Sequence, residues 1–259
     1  MKSDLEIKNL SVNYLDKAIL NNINLLLKEG EVTILLGLNG TGKKTLLKSM
    51  VGLVKTISGE LIYDNKDILK ISNKERGKLI SYISQNLHTS QNYSVEDIIL
   101  MGITPYLGLF DMPSEKHYQM VNEALGKLKI YHLKNKRIGE LSGGERRLVY
   151  LARVFIQNSN IILLDEPNTF LDYVKQHDFF KFLTKIIKEN NLINLITVHD
   201  INLALRYADK IVILNENKIV DTIDCGIEDY EKKFVGIMEK IYNRKLEICY
   251  TKFGPFIVC

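Results

Sequence analysis

Gly37-Leu38-Asn39-Gly40-Thr41-Gly42-Lys43 lies between the apolar run Val32-Thr33-Ile34-Leu35-Leu36 and the stretch Leu46-Leu47-Lys48-Ser49-Met50-Val51, which stops at Gly52. The first flank reads as a strand buried on both faces and the second as a helix. The segment between them fits G-x-x-x-x-G-K in the strand–loop–helix setting that gives the pattern its meaning. Glycines let successive backbone N–H groups curl around an anion. The helix that follows turns its positive end toward the same place, and Lys43 adds a point charge for the outer phosphates. A nucleoside triphosphate site is therefore expected from Gly37 to Thr45, with Gly37, Asn39, Gly40, Thr41, Gly42, Lys43, Lys44 and Thr45 around the phosphates.

One position departs from the pattern. The residue after the lysine is ordinarily Ser or Thr, whose hydroxyl coordinates Mg²⁺. Here it is Lys44. An ammonium has no lone pair to give a metal and repels one. Thr45 follows, but one helical step is a rotation of about 100°, so Thr45 is not expected to take over the ligand's place.

Outward from the loop, short apolar runs alternate with helical patterns, which is the signature of an α/β fold. Ile161-Ile162-Leu163-Leu164, Leu195-Ile196-Thr197-Val198 and Ile211-Val212-Ile213-Leu214 read as further buried strands. Asn215 to Lys218 reads as a hairpin turn into Ile219-Val220. Ahead of the loop, Leu5 to Leu10 and Ile23 to Leu27 predict strands of an antiparallel sheet. From Val95 to Leu141 the periodicity is helical, with Glu115 to Leu128 as its longest stretch, and predicts a helical insert. Tyr230 to Cys259 predicts a short helix and then two short strands flanking Lys252-Phe253-Gly254-Pro255.

The bulk numbers bound the function. A length of 259 residues suits one or two domains. A formal charge of +4 is too mild to argue for a nucleic-acid partner, and none is expected. Cys225, Cys249 and Cys259 form neither a zinc pattern nor an even disulfide set, so a reducing compartment is the default. Met1 to Leu10 alternates charged and apolar residues, unlike a signal peptide. No apolar run approaches the 18 or so residues that a membrane span needs, so work at a membrane is expected to go through a partner.

Three later motifs narrow the reading: Leu141-Ser142-Gly143-Gly144-Glu145, then Leu163-Leu164-Asp165-Glu166-Pro167, then His199-Asp200. With Gln85 ahead of them, the order resembles that of the ATP-binding cassette (ABC) ATPases over nearly the whole chain. The resemblance implies a P-loop NTPase (RecA-like) α/β core with an N-terminal antiparallel β subdomain and an inserted helical subdomain. Residues 1–228 would be the ATPase domain, with the helical subdomain at about 86–141, and 229–259 a short C-terminal extension.

Each motif also has a physical reading. Asp165 ends a buried strand, where a carboxylate could hold Mg²⁺ through water. Glu166 is the expected general base for the attacking water, although an acidic pair at a strand end also serves as a helix cap. Ser142, Gly143 and Gly144 open a helical stretch and make a second anion site from hydroxyl, amides and dipole, as well as an ordinary N-cap. In the family this site meets the γ-phosphate held by the opposite subunit, which implies a head-to-tail homodimer with ATP and Mg²⁺ at its interface. The resemblance further implies that His199 orients the water and that Gln85 senses water and metal. It gives Asp172 communication across the dimer, and Tyr14 a place stacked on adenine; an isolated tyrosine there serves surface packing equally well. Arg147 stands where the family usually has glutamine, and little consequence is expected from a residue on the helix after the anion site.

Among ABC proteins, fused membrane spans, coiled-coil insertions and a second cassette are all missing, and roughly 100 residues separate the two glycine motifs. Val95 to Gly102, Pro105-Tyr106-Leu107-Gly108, Pro113-Ser114 and His199 to Ala204 resemble the importers of iron chelates, haem and cobalamin. That implies transmembrane permease subunits touched by residues from Gln85 to Leu100, an extracytoplasmic substrate-binding protein reached through them, and a cytoplasmic location on the inner face of the cell membrane. Two alternatives stand beside it: a dimerising cassette that hydrolyses slowly because of Lys44, and a soluble ABC ATPase of iron–sulfur assembly.

Overall fold

The computed structural model describes residues 3–14, 17–85, 92–252 and 254–259. Strands β1 (Leu5–Tyr14) and β2 (Lys17–Leu27) pair antiparallel. Leu5, Ile7, Leu10 and Val12 all point to the buried face. Strict alternation would break between Ile7 and Leu10, and there the ladder shifts register and Asn9 takes φ 49°. The irregularity restores the apolar residues to one face.

Next comes β3 (Thr33–Leu36), buried at every residue as its composition demands, and α1 (Lys43–Met50), which starts directly from the phosphate loop. Strands β4 (Ser58–Tyr63) and β5 (Lys66–Asp67) complete a four-stranded sheet in the order β2-β1-β4-β5. After α2 (Asn73–Leu79) and β6 (Ile80–Ile83) comes the helical insert. It contains α3 (Val95–Leu100), a 3-10 helix over Met101–Tyr106 and α4 (Glu115–Lys127), and it packs on α5 (Gly143–Gln157). The expected start of the insert, residues 86–91, lies outside the described residues.

The remainder is β7 (Ile161–Asp165), α6 (Tyr173–Glu189), β8 (Ile193–Thr197), α7 (Ile201–Tyr207), β9 (Lys210–Asn215), β10 (Lys218–Asp224), α8 (Tyr230–Tyr242), β11 (Glu247–Thr251) and β12 (Gly254–Val258). The expected hairpin joins β9 to β10, and the two expected terminal strands, β11 and β12, pair antiparallel; Phe253 lies outside the described residues.

The second sheet runs β10-β9-β3-β8-β7-β6, and from β9 to β6 all its pairings are parallel. Its side chains alternate between two cores. Ile34, Leu36, Ile162, Leu164, Ile196, Ile211 and Ile213 face the helices. Leu35, Ile161, Leu163, Leu195, Val212 and Leu214 face the antiparallel sheet together with Leu46, Leu47 and Met50 of α1. Burial on both faces is why these strands are nearly continuous in apolar residues. Phe234, Met238, Leu246 and Ile257 share the helical core, and Asn202 exchanges two hydrogen bonds with the Ile257 backbone. The last 30 or so residues are thereby fastened to α7. Among the described residues no helix is long and apolar enough to cross a membrane.

Because β3, β8, β7 and β6 are parallel neighbours, the loops leaving their carboxyl ends emerge side by side. In open α/β sheets that edge is where ligands bind.

Candidate functional site

The loop leaving β3 needs its glycines. Gly42 has φ 103°, and a Cβ there would stand 2.8 Å from Leu20 Cδ2 and 2.9 Å from the Ile19 carbonyl oxygen. A Cβ on Gly37 would lie 2.3 Å from the Leu214 carbonyl oxygen. Asn39 and Gly40 are exposed at the tip. Lys43 curls back under the loop, and its ammonium donates to the carbonyl oxygens of Gly37 at 2.7 Å and Leu38 at 3.0 Å. The Thr41 hydroxyl donates to the same Leu38 oxygen at 2.9 Å. Burial pulls the Lys43 pKa down, and the carboxylates of Glu166 and Asp165 act against that shift.

Asp165 and Glu166 are adjacent in sequence but have separate partners. Asp165 is buried at the end of β7, and its Oδ1 accepts from the Thr197 hydroxyl at 3.0 Å. The Tyr82 hydroxyl approaches Oδ2 at 3.4 Å. Burial, with the Asp165 charge adding to it, raises the Tyr82 pKa. Glu166 takes φ 47° and donates its amide to Thr197 Oγ1 at 2.9 Å. Its Oε2 accepts from Gln85 Nε2 at 2.6 Å, and its Oε1 meets His199 Nε2 at 2.5 Å. The loops after β6, β7 and β8 thus bring Gln85, Glu166 and His199 together. The fourth such loop supplies Lys43.

Two cations complete this end of the sheet. Lys44 Nζ lies 3.9 Å from Asp165 Oδ2. Arg147 on α5 is only 3% exposed. Its guanidinium donates to the Ser84 carbonyl oxygen at 3.1 Å and to that of Gln85 at 2.7 Å. Burial lowers its pKa, opposed first by the charge of Asp165 and then by that of Glu166. The expectation that Arg147 has little consequence is therefore corrected. Its side chain turns inward from α5 and holds the segment that carries Gln85.

The donor set can be tested against Mg²⁺, for which Asp165 and Gln85 are the expected ligands. Magnesium demands oxygen donors in a near-octahedral set. At the position of the usual hydroxyl, this chain places an ammonium against the carboxylate. Asp165 Oδ1 is already bonded to the Thr197 hydroxyl. The residues present do not fit the metal.

A second cluster surrounds the start of α5. The Ser142 hydroxyl accepts from the Glu145 amide at 3.3 Å, and Glu145 Oε2 accepts from the Ser142 hydroxyl at 2.6 Å and its amide at 2.8 Å. Both helix-end donors are thereby satisfied as a capping box. Cβ atoms on Gly143 and Gly144 would press to 3.1 Å from Phe170 and 3.2 Å from Leu171. The loop ahead of α6 therefore packs on this helix start. That loop ends at Asp172, which caps α6 by accepting from the Lys175 amide at 2.8 Å. Tyr14 belongs to neither cluster; it is 73% exposed at the end of β1. Thr45 is half-buried on the first turn of α1.

Three residues of the site escaped sequence reading. Thr197 lies in a strand run where burial explains it sufficiently, and Tyr82 is a half-buried residue of β6, a strand that no sequence pattern singled out. Arg147 was visible as a departure, but its direction was not.

The ABC transporter family profile matches residues 20–169. The chain belongs to the ABC transporter family as an ATP-binding chain. A Helicobacter pylori protein named "Probable iron chelatin transport ATP-binding protein" is 40% identical over 216 residues, covering 83% of this chain and 85% of that one. Among solved structures, an inward-facing ABC transporter described as of metal-chelate type superposes with a TM-score of 0.82 at 26% identity, covering 98% of this chain and 96% of that chain. A dimeric ATP-binding cassette with bound ADP and phosphate gives 0.75 at 27% identity, over 85% and 98%. As an ABC cassette the chain is of a kind that dimerises and works with transmembrane permease partners.

Proposed function

We propose that this cassette is the ATP-hydrolysing subunit of an importer for an iron chelate. The observation that carries the reading is the convergence of Glu166, Gln85 and His199 at one sheet edge beside the phosphate loop. Lys43 and the loop amides bind the phosphates. Glu166 takes a proton from the attacking water, His199 and Gln85 hold that water, and the Ser142–Gly144 helix start of a second cassette closes on the γ-phosphate. Tyr14 stacks on adenine, and Asp172 couples the two halves. Dimer closure driven by ATP moves the permease, and hydrolysis resets it.

The substrate class rests on the iron chelatin relative and the metal-chelate transporter. The largely exposed Leu109, Phe110 and Met112 in the helical insert agree with a membrane-protein partner on that side. The chain is reconstituted with its permease and binding protein in vesicles, and uptake of ferric siderophore, haem and cobalamin is compared. ATP-driven uptake of the siderophore alone is the expected result. Uptake of haem or cobalamin in its place overturns the assignment, and failure to assemble with any permease favours iron–sulfur assembly instead.

The Lys44–Asp165 approach favours a second reading, a dimerising cassette with weak hydrolysis. Comparing ATPase rates of the permease complex with those of its Lys44→Thr variant separates the two. Equal, robust rates sink the weak-hydrolysis reading.

A further inference from the structure

The side chain that spoils the metal site also occupies its ground. We infer that the Lys44 ammonium is a tethered counter-ion standing in for the divalent cation, so that this chain binds ATP without metal. The inference rests on the ATP-binding reading and goes beyond it.

Three observations support it. First, Lys44 Nζ stands 3.9 Å from Asp165 Oδ2. An ion held by a carboxylate through an intervening water sits at a similar remove, because magnesium keeps several waters when it binds. Second, Asp165 has little left to offer a hydrated ion. Its side chain is 2% exposed, with Oδ1 bonded to Thr197 and Oδ2 shared between Tyr82 and Lys44. Third, the charge is made up nearby. Lys44 and Arg147 both replace neutral residues of the family pattern. Each brings one positive charge to the neighbourhood of Asp165 and Glu166, the sum that a divalent ion would supply. Lys44 lies on the first turn of α1 beside Lys43 and is 43% exposed on its side chain, so it is free to swing toward the β- and γ-oxygens of a bound triphosphate. Lys43 and Lys44 then face the phosphates while Arg147 stays buried behind the Gln85 segment, and none of the three charges dissociates.

The simplest competing account is that Lys44 rests on Asp165 only while the site is empty and yields to Mg²⁺ when the nucleotide arrives. ATP is titrated calorimetrically into the full-length chain in magnesium buffer and in EDTA. The two dissociation constants are expected to agree within about twofold, whereas Lys44→Thr is expected to lose about tenfold or more in EDTA. A loss of about tenfold in the unaltered chain on chelation overturns the inference and leaves ATP binding standing. No binding in either buffer overturns both. Should Lys44→Thr fold poorly, Mn²⁺ electron paramagnetic resonance on the unaltered chain decides. Nucleotide held with no protein-associated Mn²⁺ supports the inference, and one Mn²⁺ per bound nucleotide overturns it.

Discussion

The guanidinium of Arg147 on α5 donates to the Gln85 carbonyl oxygen at 2.7 Å, across 62 residues of sequence. It also holds the Ser84 carbonyl at 3.1 Å. Helix α5 thereby fixes the segment leaving β6, and through it the amide that Gln85 presents to Glu166. Arg147→Ala leaves those carbonyls without their donor and opens a void. Hydrogen bonds to a charged group are worth about 1.5–3 kcal/mol, and a stability loss of that size is expected in urea unfolding. Arg147→Lys keeps the charge but not the fork, and recovers only part of it.

Thr197 joins the two carboxylate residues. Its hydroxyl donates to Asp165 Oδ1 and accepts from the Glu166 amide. Thr197→Val keeps the shape and strands both partners, which costs about 1–3 kcal/mol. Thr197→Ser keeps the hydroxyl and should lie much closer to the unaltered chain in the same denaturation experiment.

Glu166→Gln tests the proposed base. The amide keeps the volume but cannot take a proton. The hydrolysis rate is expected to fall by about a hundredfold to ten-thousandfold while calorimetric ATP affinity stays near its starting value. A parallel loss of affinity would place Glu166 in binding instead.

The cap on α5 should make stability pH-dependent. The Ser142 hydroxyl, and then its amide, hold the Glu145 carboxyl below its ordinary pKa. A carboxyl depressed in the folded state stabilises the fold fully above its unfolded pKa, about 4.3. That contribution is lost as pH falls through the folded value. Ser142→Ala is expected to cost about 1 kcal/mol at neutral pH. The cost should shrink in acid below the unfolded pKa, as read from denaturation at the two pH values.

The α/β class, the phosphate loop, the hairpin at Asn215, the two terminal strands and the helical insert were all legible because each depends on local pattern. A strand covered on both faces must be apolar throughout, and a backbone with positive φ in close contact must be glycine. The N-cap at Ser142 was legible for the same reason, and the structure adds Glu145, three residues on, as the other half of a capping box. The β1 irregularity at Asn9 was less so, because a bulge is fixed by the partner strand.

The phosphate-loop pattern, the carboxylate pair and the lysine at position 44, where the family pattern has a hydroxyl, were determined by the sequence alone, since each is a matter of residue type at fixed spacing. Only the tertiary structure decided where those charges go. The Lys44 ammonium meets Asp165 from another strand's loop, Thr197 bridges the two carboxylate residues from β8, and Arg147 turns inward beneath Gln85. These contacts span 31 to 121 positions. Periodicity carries no information at that range; the order of parallel strands in the sheet brings the groups within reach of one another.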